Sequence, residues 1–171
     1  MYGVVKGMKA VRAAVNEYIL MECKENGVLS DVAEVITTQR VENPVTPPFI
    51  WIYKLMTVPY DDMKGNRTQY LKSSYQLICG YYDEDLGIGE ENAEDLTYRA
   101  VACIQKHFNS KRIPYFEDRP YERIFTSNGL QVSTIYPVGD VEVRGKSDRV
   151  PCCAVDIDFI HRIDWNLCKR L

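Results

Sequence analysis

Asp156, Asp158, His161 and Asp164 bring three carboxylates and an imidazole into one short stretch, and these are ligand types that divalent cations accept. Whether they converge depends on the local backbone. Around them Cys153, Val155, Ile157, Phe159, Ile163 and Trp165 alternate with Asp156, Asp158, Arg162 and Asp164, the period of a half-buried strand. In an extended chain the aspartates share one face while His161 points to the other, so only a bulge would bring all four to one ion. The pattern favours a strand surface that meets solvent or another subunit.

The remaining chemistry-bearing groups fall short in similar ways. Asp83, Glu84, Asp85, Glu90 and Glu91 form an acidic run without the alternating-acid, glycine and distant glutamate spacing of a calcium loop. It reads as a solvated loop feeding a helix N-terminus. Glu142 and Lys146 lack the acid-x-lysine spacing of metal nucleases. Cys103 and His107 are helical neighbours, yet both lie on an apolar stripe, which points to a packed helix face before a thiol–imidazole pair. Cys152 and Cys153 are adjacent, so a strand sends them to opposite faces, and no Cys-x-x-Cys occurs. Gly87 and Gly89 are followed by acids that would repel phosphate. No catalytic, cofactor or metal site is assigned, and no enzymatic activity is expected.

Two helices and a set of strands must carry these residues. Met8, Val11, Val15, Tyr18 and Ile19 repeat at helical spacing over Met8–Asn26, with Gly27 as the stop. A second helix is predicted from Asn92, as N-cap, to Asn109, with the stripe Leu96, Ala100, Cys103, Ile104, His107 and Phe108; Lys106, Lys111 and Arg112 stand near its exit and Pro114 ends it. Period-two alternation predicts strands at Val32–Gln39, Phe49–Val58, Tyr70–Tyr82, Gln131–Tyr136 and Pro151–Trp165. Phe49–Met56 is apolar on both faces and reads as a central strand covered on both sides. Long connectors run over Pro59–Gln69, Ser110–Gly129 and Pro137–Val150. The expected fold is α+β: one domain over residues 1–171, with a mostly antiparallel sheet of about five strands, two main helices and long projecting loops.

The whole-chain composition is consistent with that frame. At 171 residues, 46% apolar and 26% charged, the chain has ample material for one core. A net charge of −3 argues against a general polyanion binder, so no specific nucleic-acid partner is expected. Six cysteines accompany no basic-then-apolar leader in Met1–Gly7, and no run reaches membrane-span length, so reduced thiols, a cytosol-like compartment and no membrane partner are expected. Twelve tyrosines, among them Tyr60, Tyr81, Tyr82, Tyr115, Tyr121 and Tyr136, suit protein interfaces as well as half-buried sheets.

The order of these segments carries a resemblance. An N-terminal helix precedes Pro47-Pro48-Phe49-Ile50-Trp51-Ile52-Tyr53 and a polar hairpin loop, then the long strand Tyr70-Leu71-Lys72-Ser73-Ser74-Tyr75-Gln76-Leu77 and the Asn92–Asn109 helix. Asn128-Gly129-Leu130-Gln131-Val132 leads to Val138-Gly139-Asp140, and Ala154-Val155-Asp156-Ile157-Asp158-Phe159 follows. Over nearly the whole chain this order resembles the tail terminator, or neck terminator, proteins of tailed bacteriophages and related contractile particles. The resemblance implies a structural virion protein assembled in the host cytoplasm. Its subunits would form a ring, commonly a hexamer, that caps the tail tube, ends its polymerisation and joins it to the head-side connector. The implied partners are further copies of itself, the tail tube protein, the head-side connector or adaptor and, in a contractile particle, the tail sheath. A head-completion or adaptor ring is the alternative, and a small metal-dependent enzyme is a third reading.

A head-to-tail ring needs two different patches on each subunit, with closure set by their relative angle. Two of the long connectors are the expected patches. Tyr60, Asp61, Asp62, Lys64 and Arg67 represent Pro59–Gln69, and Asp140, Glu142, Arg144, Lys146 and Arg149 represent Pro137–Val150, with mixed charge fixing register more than affinity.

Overall fold

The structure is a computed structural model that describes residues 2–40, 45–60, 70–113, 124–142 and 149–162. Among them the chain forms, in order, α1 (Tyr2–Leu20), β1 (Glu34–Ile36), β2 (Phe49–Tyr60), β3 (Tyr70–Gly80), α2 (Leu86–Asn109), β4 (Phe125–Val132), β5 (Tyr136–Glu142) and β6 (Arg149–Arg162). The strands make one sheet in the order β1-β2-β3-β6-β4, with β5 also paired to β6. Only the short β1–β2 pair is parallel; the others are antiparallel. The fold is α+β, with six strands where alternation suggested about five.

Cross-strand partners share a face of a sheet. Ile52, Leu77 and Val155 are in register, as are Tyr75 with Ile157 and Cys79 with Cys153, and this row faces the helices. It joins Val11, Val15, Tyr18 and Ile19 of α1 to Leu96, Ala100, Ile104 and Phe108 of α2 in one buried core. Phe108, Phe125 and Phe159 close its far end, with ring centroids 5.4 Å and 6.1 Å apart. Each such buried large side chain contributes about 1.5–3 kcal/mol. The opposite face carries no described helix. A smaller cluster of Ile36, Val45, Phe49, Val150 and Cys152 covers one end of it. There Phe49 stands opposite Gly80, and a Cβ on Gly80 would lie 2.3 Å from the Phe49 ring, so glycine is what lets the ring cross the strand.

Several boundaries differ from the periodicity, each for a local reason. The first helix is Tyr2–Leu20 and not Met8–Asn26: Gly3 and Gly7 weaken the helical signal at its start. After Leu20 the chain folds back on itself, with Leu29 N–H donating to Glu22 O at 2.9 Å. A Cβ on Gly27 would lie 2.0 Å from Glu22 O, so glycine is required inside this turn and does not terminate the helix. Asn92 is not the cap of α2. Asp85 is, accepting from Gly87 N and Ile88 N at 2.8 Å and 3.3 Å, and Gly87 and Gly89 disguised the first turns.

The strands shift too. β1 is shorter than Val32–Gln39, and Gln131–Tyr136 straddles the end of β4 and the start of β5. Phe49–Met56 is not a central strand, because β3 and β6 hold the centre. β2 has only the three residues of β1 on its outer side, and beyond them the Gln39 side chain takes over, donating to Lys54 O at 2.8 Å and accepting from Lys54 N at 3.1 Å. A bulge follows, and Leu55 and Met56 are 42% and 56% exposed. Residues 163–165, the expected end of the last strand, lie outside the described residues.

Candidate functional site

A groove of about 470 Å³ lies between the first turns of α2 and the β5–β6 ladder. Gly87, Glu90, Glu91 and Glu94 form one wall; Ile135, Tyr136, Pro137, Gly139 and Asp140 form the other, and Pro151, Cys152 and Cys153 form the floor. The Asp85 cap fixes where α2 begins, and Gly89 lets the helix close on β6, since a Cβ there would stand 2.9 Å from Pro151 Cγ. Across the groove, β5 bulges between Pro137 and Gly139, and Gly139 takes a φ of +91°. That bulge turns Asp140 toward the rim.

The rim is negative. Glu90, Glu91 and Glu94 are exposed and have no ion pair among the described residues. Helix polarity does not account for them, because it acts over the first turn and α2 has no acid there. Asp140 has Arg149 at 3.8 Å, a weak pairing because the Arg149 side chain is 69% exposed. On the floor, burial raises the Cys153 thiol above its ordinary value, and Glu94 and Glu90 raise it further. The groove offers an apolar floor under a carboxylate rim, an arrangement that accommodates cationic side chains with long stems.

The face of the sheet away from the helices is ordered by hydrogen bonds. Gln76 Nε2 donates to Tyr136 Oη at 2.7 Å and to Asp156 Oδ1 at 3.2 Å, and Tyr136 Oη donates to Asp156 Oδ1 at 3.1 Å. Asp158 accepts from Ser74 Oγ at 2.5 Å and has Lys72 Nζ at 3.6 Å. Ser74 is buried among them, and Lys72, Gln76, Asp156 and Asp158 are half-buried on a face that no described helix covers.

Polar groups also lie inside, where they serve packing. Thr57 Oγ1, Ser73 Oγ and His161 Nε2 form a chain of contacts at 2.9 Å and 2.8 Å on the helix-facing side. Ser73 and His161 are each 1% exposed, so this serine–histidine pair is closed off from solvent. Burial holds the His161 imidazole down at about 4. His107 stacks on Tyr18 at 5.7 Å and contacts Glu22 Oε1 at 2.8 Å. Lys106 also reaches Glu22 Oε1 at 2.8 Å, and the Lys106 hydrogen bond is the main cause that lowers the Glu22 carboxyl to about 2. Cys103 and His107 are thus parts of a buried helix face.

Of the residues singled out from the sequence, Asp156 and Asp158 stand on the open face and His161 on the helix-facing one; Asp164 lies outside the described residues. Among the described residues no three His, Cys, Asp or Glu stand close enough to hold a metal ion. Cys23, Cys79, Cys103, Cys152 and Cys153 are free thiols. No helix among the described residues is long and apolar enough to cross a membrane. Tyr60 is half-buried at the end of β2, while Asp61, Asp62, Lys64 and Arg67 lie outside the described residues.

Pro137–Val150 is not an open connector. Its two ends are the β5–β6 ladder, with Val141 opposite Val150 and Glu142 opposite Arg149; Pro137 and Gly139 interrupt the alternation that would have revealed it. Asp140 and Arg149 therefore belong to a hairpin, and Arg144 and Lys146 lie outside the described residues. The sequence reading missed the Gln76–Tyr136–Asp156 network and the groove. Glu90 and Glu91 of the acidic run, which lie inside α2, were the visible part of the groove, but its floor is brought in by tertiary pairing. No family model matches the sequence, and no curated protein matches it.

Proposed function

We propose that this chain is a structural subunit of a phage neck, a ring-forming protein that caps the tail tube, ends its polymerisation and joins it to the head-side connector. The observation that carries this reading is the one-sided architecture. Both described helices pack on one face of the sheet, while the other carries Lys72, Gln76, Asp156 and Asp158, half-buried and tied together by hydrogen bonds or ion pairs, beside the buried Ser74. A preorganised polar platform of this kind suits a polypeptide partner, because its side chains lose little conformational freedom on contact. The order helix, paired strands, helix and final strands is the one on which the sequence resemblance to terminator proteins rests.

The experiment is to add the purified protein to the tail tube protein encoded by the same genome while tubes are growing. Tubes that stop growing, with the added protein at one end, are the expected result. Tubes that elongate unchanged and carry none of the added protein would overturn the proposal.

A further inference from the structure

The carboxylate-rimmed groove has a counterpart elsewhere on the same chain. α2 runs for 24 residues, about 36 Å at its ordinary rise, and the groove lies at its N-terminal end. Its other end carries Lys106, then Lys111 and Arg112, with Lys24 brought alongside by the contact of Glu22 with Lys106 and His107. Among the described residues there, Glu22 and Glu25 are outnumbered, and Glu22 is buried and engaged by Lys106 and His107. Lys24, Lys111 and Arg112 are exposed. Lys111 takes a φ of 54°, turning the chain away from the helix, and the Arg112 carbonyl accepts from the Tyr18 hydroxyl, which anchors the turn. One molecule therefore presents a negative groove at one pole and a positive, anchored projection at the other.

We propose that the groove is the receiving half of a head-to-tail contact, occupied by the Lys111–Arg112 end of α2 from a second copy of this chain. The inference rests on the ring-forming reading above and names the interface through which the ring grows. Lysine and arginine stems would lie on the apolar floor at Pro151 and against Pro137 of the wall while their charged heads meet Glu90, Glu91 and Glu94. Each copy then offers one groove and one projection. Such a contact is heterologous, so it propagates until the rotation between neighbours closes it.

A charge swap tests this. E90K/E94K makes both poles positive and K111E/R112E makes both negative; all four positions are exposed, and circular dichroism checks that each variant is folded. Each variant alone is expected to self-associate about a hundredfold more weakly than the natural sequence, because like charges then face each other. Mixed in equal amounts, the two should recover assemblies containing equal numbers of each, read by native mass spectrometry. E84K, a reversal at an exposed position outside the groove lining, should assemble normally. If the natural sequence assembles and both swap variants assemble as well alone, the interface is wrong and the ring reading stands. If each is monomeric alone and their mixture stays monomeric, the pairing is likewise refuted. A natural sequence that never self-associates removes the ring reading itself.

Discussion

Ser73 Oγ and His161 Nε2 stand 2.8 Å apart on the helix-facing side of the sheet, brought together by the β3–β6 register although 88 positions separate them in the chain. The pair is sealed from solvent, so its consequence is for stability. Burial lowers the His161 imidazole from 6.5 to about 4. The folded state keeps the ring neutral in that interval while the unfolded state takes up a proton. Stability from this group is therefore complete above pH 6.5 and falls as pH drops toward 4, by at most about 3 kcal/mol. The Glu22 carboxyl, lowered from 4.5 to about 2, loses its contribution only in the more acidic interval. Urea unfolding across both intervals separates the two, and His161→Asn should flatten the upper slope while leaving the lower one. An unchanged upper slope in that variant would assign it to another group.

Tyr75 is the mirror case, a buried hydroxyl with no hydrogen-bond partner among the described residues. Its ring still packs edge-on against Phe159 at 5.8 Å. Tyr75→Phe keeps that contact and removes the unsatisfied group, so a gain of about 1 kcal/mol is expected, raising Tm by about 2–4 °C. A loss of stability in thermal unfolding would mean that the hydroxyl has a partner after all.

At the head of α2, Asp85→Ala removes the acceptor for two backbone donors. A loss of about 1 kcal/mol is expected, together with faster hydrogen exchange at Gly87 and Ile88. Exchange that stays slow at those two amides would place the cap elsewhere.

These cases also show where sequence and structure part company. The last strand could be read because Val155, Ile157 and Phe159 alternate with Asp156 and Asp158 without interruption, and the pattern reports burial directly. β5 could not, because Pro137 and Gly139 break the period at a bulge. The first turns of α2 were hidden by two glycines, one of which, Gly89, is there to admit Pro151. Interactions such as Ser73 with His161, or Gln76 with Tyr136, depend on strand register, a tertiary property that no local window contains. The same limit applied to the groove, whose rim is local to α2 and whose floor comes from β6.

Under the proposed function this chain works by assembling with other polypeptides, beginning with itself. Native mass spectrometry of the purified protein over rising concentration, with negative-stain images of the same samples, measures this most directly. One closed assembly of fixed stoichiometry, seen as rings of a single diameter, is the expected result. A protein that remains a monomer at every concentration would contradict it.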